Sequence, residues 1–293
     1  MDTEAVRALF DRQMRRQAPA DGPGAVVERV GAVVRQTATG PGAESDGGWN
    51  GVLWSDLDAD SADAAISEQI RHFTSLGLEF EWKVYSHDAP HDLPRRLAAA
   101  GFAPEPAETL MIAETAALPR DVALPEGVRL VAVTDAAGVE LMAEVHEQAF
   151  GTDRTRLRER LLAQLAAAPG SVAAGVAMAG DLPVSAARME LPAGTEFAGL
   201  WGGGTVPAWR GRGLYRALVA FRTRLAAERG YRYIQVDASS DSRPILRRLG
   251  FEELSTTTPY VHTPRTTSRD TDAAPDGGQG RGEAPSGGAC RRR

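Results

Sequence analysis

The chain has a single cysteine, Cys290, and a single lysine, Lys83. One thiol in a terminal tail excludes a disulfide framework or a cysteine metal site within the chain, and no metal is expected. A lone lysine far from any glycine run excludes a Walker A phosphate loop, which needs Lys followed by Ser or Thr directly after its last glycine. No apolar run approaches the ~20 residues that span a bilayer. The opening Met1-Asp2-Thr3-Glu4 is acidic and lacks the apolar core of a secretory signal. These absences predict a cytoplasmic protein without a membrane partner. A formal net charge of -6 argues against nucleic acid as a bulk partner, since affinity there comes mainly from a basic surface that neutralises phosphates.

At 293 residues the chain is long enough for two domains on the usual ~150-residue scale. Residues 265–293 are Gly, Pro, Ser, Thr and charge with almost nothing apolar, so they cannot bury enough surface to offset ordering entropy. A disordered tail is expected there, and its closing Arg291-Arg292-Arg293 reads as a solvated charge run.

The most informative segment is Val206-Pro207-Ala208-Trp209-Arg210-Gly211-Arg212-Gly213-Leu214-Tyr215-Arg216-Ala217-Leu218. The apolar run before it, from Phe197, reads as a strand with glycines at 202, 203 and 204, which mark a bulge or a close approach of backbone or ligand. Pro207 cannot donate to a ladder, so the strand stops there. From Leu214 the apolar residues Leu214, Ala217, Leu218, Phe221 and Leu225 fall on one helical face. Gly211 and Gly213 then sit at a helix start, where free N–H groups and the positive helix end attract phosphate. Arg210 and Arg212 add charge and bidentate donors, and a pyrophosphate is the natural guest. A dinucleotide fingerprint fits poorly, because Arg216 stands where its third Gly or Ala belongs.

This segment resembles the acetyl-coenzyme A loop of the GNAT superfamily of N-acetyltransferases: Arg or Gln, two residues, Gly, one residue, then Gly or Ala. Arg210, Gly213 and Tyr215 take those places, and Tyr215 departs from the pattern because it is bulky. The following order of strand (Tyr231 to Val236), short helix (Ser242 to Leu249), Gly250-Phe251 and strand is also similar to that family, over roughly Glu126 to Thr263. The resemblance implies an α/β (mixed α+β) fold of two GNAT-like domains, each a mixed, mostly antiparallel central sheet flanked by helices. It implies acetyl-coenzyme A as co-substrate, held by Thr205, Val206, Arg210, Gly211, Arg212, Gly213, Leu214 and Tyr215.

Upstream lies a second organised region. Met1 to Gln17 reads as an amphipathic helix, Val26 to Thr37 and Gly51 to Trp54 as strands, Ala62 to Leu76 as a helix and Phe80 to Tyr85 as an alternating strand. A polar turn, a short helix carrying Arg95-Arg96, then Gly101-Phe102 and a strand near Leu110 to Ile112 parallel the order around Arg247-Arg248 and Gly250-Phe251. An internal duplication is expected, with residues 1–118 a degenerate GNAT-like domain, 119–264 the acetyl-coenzyme A-binding domain and 265–293 the tail. The first copy lacks the loop: Asp56-Leu57-Asp58-Ala59-Asp60-Ser61 stands in its place, and carboxylates repel a pyrophosphate.

Acetyl transfer to an amine needs a polarised thioester carbonyl, a neutral amine and a released thiolate. The resemblance assigns the carbonyl to a backbone N–H near Thr205 and Val206. For the base the chain offers Glu196 at the strand start and Glu190 on the preceding strand; Glu196 shares parity with Leu200, Gly202 and Gly204 and is preferred. His146 titrates near the working pH but reads more plainly as a core or surface histidine, and His87 and His91 as turn and cap residues. The tyrosine that family members carry four residues before the Gly of Gly-Phe is replaced by Leu246; Tyr215, Tyr231 and Tyr260 are the alternatives. Two functions stay open: an N-acetyltransferase acting on a primary amine of a small molecule or an amino terminus, and a catalytically lapsed acyl-coenzyme A sensor.

Overall fold

The computed structural model describes residues 1–22, 24–38, 48–151 and 154–264. The tail at 265–293, with Cys290, lies outside the described residues. The first half runs α1 (Thr3–Phe10), β1 (Ala25–Val30), β2 (Val33–Ala38), β3 (Gly51–Ser55), α2 (Ala62–Ser75), β4 (Phe80–Tyr85), α3 (Leu93–Ala99), β5 (Ala103–Pro104) and β6 (Glu108–Glu114). The second runs β7 (Val128–Ala132), α4 (Ala136–Phe150), α5 (Thr155–Ala167), β8 (Val172–Ala179), β9 (Leu182–Glu190) and β10 (Phe197–Thr205). It closes with α6 (Leu214–Glu228), β11 (Tyr233–Ala238), α7 (Arg243–Leu249) and β12 (Glu252–His262).

Local chemistry sets the boundaries. The Asp2 carboxylate accepts from the N–H of Ala5 at 3.1 Å and that of Asp135 from Gly138 at 2.9 Å, capping α1 and α4. Gly250, at φ 102°, closes α7 in the left-handed region. The helix α1 runs on through Asp11–Arg16 in a wider turn, with the Gln17 N–H reaching the Arg12 carbonyl at 2.9 Å. The run Val26 to Thr37, expected as one strand, is the hairpin β1–β2, turned at Gly31.

All strands join one sheet in the order β1-β2-β3-β4-β12-β6-β11-β10-β9-β8-β7, with β5 beside β12. It is mixed and mostly antiparallel; β3 with β4 and β10 with β11 are the parallel pairs. The halves exchange their last strands. β6 pairs with β11 from Tyr233–Glu114 to Ala238–Thr109, and β12 pairs with β4 from Thr257–Tyr85 to His262–Phe80. The sheet therefore runs unbroken across the expected boundary at 118/119.

Side chains alternate between the two faces. On one face α6 and α7 place Val219, Ala226 and Leu246 over Met111, Ala113, Ala198 and Ile234. On the same face of the first half, α2 and α3 place Ile66, Phe73, Leu93 and Leu97 over Phe80 and Trp82. The opposite face carries α4 and α5 over β8 and β9, and α1, whose Val6 and Phe10 cover Tyr85, Leu110, Ile112, Phe197 and Tyr233 from both halves.

The segment after α1 also closes the first half. β3 and β4 pair only at Gly51–Glu81 and Val52–Trp82 before parting. Arg15, 2% exposed, takes the freed Leu53 carbonyl with Nε at 3.2 Å. Its Nη2 donates to both Asp88 oxygens at 2.8 Å, and its guanidinium lies 3.8 Å from the Tyr85 ring centroid and 4.7 Å from that of Trp54. Replacing Arg15 with methionine strands the buried Asp88 carboxylate. We expect a loss of about 3–5 kcal/mol of stability in denaturant unfolding, with Arg15→Met/Asp88→Asn losing clearly less. Equal losses would show that the ion pair is not what holds this segment.

Candidate functional site

In the second half, β10 and β11 pair at Phe197–Tyr233, Ala198–Ile234 and Gly199–Gln235 and then part. β10 bulges between Trp201 and Gly204, where its register against β9 shifts, with Gly202 at φ 56°. The bulge steers β10 away from β11, which β6 holds on its other side. At the open end of this gap the turn Pro207–Trp209 leads through Arg210 to α6. Gly211 at φ 75° and Gly213 at φ 83° are left-handed, a conformation that side chains resist. Gly213 is the N-cap of α6, and its carbonyl accepts the Ala217 N–H at 3.1 Å. The N–H groups of the first turn have no partner inside the helix and face outward with the positive dipole end, a receptor for an anion. Nothing stands within 4 Å of where a Cβ on Gly211 would go. Arg212 stacks 4.5 Å over Trp209, and an added Cβ on Gly213 would meet Arg216 Nη2 at 3.5 Å, so two cations flank the loop.

The two faces of the gap differ. On the α6 and α7 face an added Cβ on Gly203 would meet the Tyr215 ring at 3.4 Å. Burial pushes the Tyr215 phenol up, partly offset by Arg222 and by its hydrogen bond with Ser242. On the opposite face stand Arg188, Glu190, Trp201, Gln235 and Asp237, brought together because Trp201 lies across from Arg188 and Gly199 across from both Glu190 and Gln235. Glu190 accepts from Arg188 at 3.1 Å and from Arg160 at 3.3 Å; burial and then Asp21 push its carboxyl up against those two cations. Asp237, its side chain 6% exposed, pairs through Oδ2 with Lys83 of β4, reaching over from the first half. Burial works against the charge on Lys83, yet Asp237, Tyr85 and Glu81 outweigh it and hold the amine above the ordinary lysine range. Asp237 Oδ1 is buried and has no hydrogen-bond partner among the described residues.

Comparison with known proteins places this geometry. No protein-family model matches the chain, and no curated protein sequence matches it. Solved structures do. A GCN5-related N-acetyltransferase from Kribbella flavida matches with TM-score 0.62 at 19% identity, covering 90% of this chain and 94% of that one. The chain has the fold of the GNAT N-acetyltransferases. A tandem GNAT protein from the clavulanic acid biosynthesis pathway matches with TM-score 0.53 at 16% identity over 82% of this chain and 84% of that one. A functionally unknown conserved protein from Staphylococcus epidermidis matches with TM-score 0.62 at 12% identity, over 85% and 97%.

Within this GNAT fold, Gly211, Arg212, Gly213, Leu214 and Tyr215 come together at the start of α6. Arg210 donates from Nε to the Thr205 carbonyl and from Nη2 to that of Ala149, both at 3.1 Å, tying the loop to the end of α4. The Val206 N–H is likewise taken, by the Val184 carbonyl at 3.0 Å, and Thr205 Oγ1 pairs with Ser185 Oγ at 2.8 Å. Backbone freed from the β9 ladder lies instead at Gly202 and Gly203, inside the bulge. Glu196 is distant from the cradle: it lies nine residue steps before Thr205, about 30 Å at ~3.3 Å each. There it bonds with Gln13 at 3.2 Å and lines a cavity of about 420 Å³ beside α1.

Leu246 is fully buried in the core beneath α7. Tyr231 donates to the Pro192 carbonyl at 3.3 Å, and Tyr260 packs against the first-half core, so of the three alternatives Tyr215 stands at the gap. His87 bridges Asp11 and Ser255 at 2.9 Å each, a structural tie. His146, on α4, is held below its ordinary value by burial and then by Arg188. The sequence reading missed Asp237 because it ended the strand at Val236; carrying the alternation of Tyr233 and Gln235 one step further finds it.

Valine at position 213 must leave the left-handed region or strain it by ~1–2 kcal/mol. We expect Gly213→Val to weaken binding of inorganic pyrophosphate by about tenfold in calorimetric titration, with an unchanged far-ultraviolet circular dichroism spectrum. Unaltered affinity would put the anion elsewhere.

Proposed function

We propose that the protein is an acetyl-coenzyme A-dependent N-acetyltransferase that transfers the acetyl group directly to a primary amine of a small molecule or an amino terminus, in the cytoplasm. The observation that carries this reading is the gap: two parallel strands part beside a helix start built from left-handed glycines. The residues present fit the co-substrate, which supplies an activated thioester. The backbone of Gly211 to Leu214 holds its pyrophosphate, with Arg212 and Arg216 flanking, and Arg210 keeps the loop in place. Gly202 and Gly203 offer unladdered backbone inside the gap.

On one face Asp237 Oδ1 accepts the proton that an ammonium must lose before its nitrogen can attack, a task for a fixed carboxylate within hydrogen-bond reach. Lys83 positions Asp237 through the other oxygen. On the other face the Tyr215 hydroxyl, kept protonated by burial, donates to the departing thiolate. The chain is on this reading a duplication, residues 1–118 and 119–264, in which only the second unit keeps the cradle and the first lends it Lys83. A coenzyme A sensor has no use for buried, unpaired polar groups on the far side of the gap, and these favour transfer over sensing.

Removing either partner alone would strand the buried charge of the other, so the informative comparison is the unmodified protein against Lys83→Met/Asp237→Asn. We expect both to show a thermal shift with acetyl-coenzyme A, and the double variant to release free thiol with amines about 100-fold more slowly. Equal rates would remove Asp237 from the reaction, and the absence of any shift in the unmodified protein would overturn both transfer and sensing.

A further inference from the structure

We infer that the amine acceptor is a free amino acid, bound on the α4 and α5 face of the gap with its carboxylate toward β9 and β10 and its ammonium toward β11. The inference rests on the acetyl-transfer reading and adds the substrate class. Four buried polar atoms there have no hydrogen-bond partner among the described residues: Arg188 Nε, Trp201 Nε1, Gln235 Oε1 and Asp237 Oδ1. Buried polar groups in folded proteins are nearly always paired, so each unpaired one requires an explanation. Four on three adjacent strands, in one neighbourhood, are explained together by a ligand.

Their positions form one floor. Gly199 lies between Trp201 and Gln235, and an added Cβ there would meet Gln235 Nε2 at 2.7 Å and Trp201 Nε1 at 2.8 Å. Gly202 leaves the bulge open beside Arg188, whose Nε lies 3.7 Å from its Cβ position. Asp237 is two residues beyond Gln235, on the same face and about 7 Å along the strand. These side chains are not solvated alternatives: Gln235 is 5% exposed and the Arg188 side chain 11%.

The unpaired atoms of the floor are sorted by sign. Those on β9 and β10 are donors, one of them cationic: Arg188 Nε, its Nη1 being on Glu190, and the Trp201 indole N–H. Those on β11 are acceptors, one of them anionic: the amide oxygen of Gln235, whose Nε2 lies toward Gly199, and the free oxygen of Asp237. A guest that satisfies both sides carries a carboxylate and an ammonium a few ångströms apart. A polyamine leaves Arg188 and Trp201 unpaired, and a carboxylic acid without an amine leaves Asp237 unpaired. In the reaction the ammonium gives one proton to Asp237, the nitrogen forms an amide bond to the acetyl carbon, the thioester C–S bond breaks and the thiolate takes a proton from Tyr215; the second proton shed by the nitrogen restores Tyr215, and Asp237 passes its own to solvent. The products are an N-acetyl amino acid and coenzyme A, with one proton released to solvent.

The test is calorimetric titration of the full chain, with and without coenzyme A, using L-amino acids, their carboxamides and the corresponding decarboxylated amines. The same panel is run for thiol release with acetyl-coenzyme A. At least one amino acid should bind about tenfold more tightly than its carboxamide and its amine, with the same order in kcat/KM. Trp201→Phe keeps one aromatic ring and removes the five-membered ring that carries the N–H; it should cost that amino acid about tenfold in affinity and leave coenzyme A affinity unchanged. Carboxamides or amines that bind as well as amino acids, or no amino-acid binding in either state, would overturn the inference. Thiol release on amines without preference for a carboxylate would do so while leaving the transfer reading intact, whereas a missing thermal shift with acetyl-coenzyme A would remove the transfer reading itself.

Discussion

The antiparallel pairing of β6 with β12 is the contact on which the rest of this fold depends. The two strands belong to opposite halves, and each is hydrogen-bonded on both sides, β6 to β11 and β12 to β4. Neither half has a closed set of ladder partners without the other, and an uncovered strand edge of that length would invite other chains. The exchange also distributes the core: Met111 and Ala113 of β6 pack beneath α6 and α7, while Leu110 and Ile112 of the same strand lie under α1. It bears on the site as well. β11 is paired with β6 along its whole length, so the parting of β10 from β11 is absorbed by β10, through its glycine bulge.

The same gap arises twice and is treated in opposite ways. Between β3 and β4 the strands part after Val52–Trp82, and the freed carbonyl of Leu53 is taken by Arg15. That guanidinium has carboxylate partners in Asp88 and Asp11 and aromatic rings on Trp54 and Tyr85, which leaves the first gap filled by the chain itself. The link before α2 has Asp58 accepting from the N–H groups of Asp60 and Ser61, a compact turn whose charge is wrong for phosphate. Among the described residues, no guanidinium takes a comparable place between β10 and β11. The first gap is thus filled by an arginine, and the second is bordered by the unpaired atoms of Arg188, Trp201, Gln235 and Asp237.

Much of this was legible in the residues. Gly211, Gly213 and the helical periodicity from Leu214 identify the cradle because left-handed backbone and a helix start are local properties. Strand exchange was not legible: β6 is apolar on both faces from Leu110 to Ala113 whichever strand lies beside it, and nothing local states which half supplies the neighbour. The hydrogen bonds of Arg210 and Val206 were not legible for a related reason. A motif gives the residue type, but whether a guanidinium faces a ligand or the carbonyls of Thr205 and Ala149 depends on α4, which is distant in sequence. Glu196 was preferred by parity, and parity cannot tell the paired end of a strand from its splayed end. Asp237 was lost to an error of two residues at a strand end, where such boundaries are least defined.

The one lysine among thirty-three basic residues stands where an arginine would close the site. Arginine presents a planar fork that takes both oxygens of a carboxylate, as Arg15 does with Asp88 at 2.8 Å to each. Lysine is a compact point charge on a flexible stem and grips without such a fork. Lys83 holds Oδ2 of Asp237 and leaves Oδ1 without a partner among the described residues. A buried ion pair is weak evidence for stability, since desolvation consumes most of what attraction returns. Its place across the joint between the halves is better explained by what it leaves open: a carboxylate held through one oxygen and available through the other. A guanidinium in the same place would fix Asp237 more firmly and, by occupying both oxygens, take away the acceptor that the gap otherwise presents.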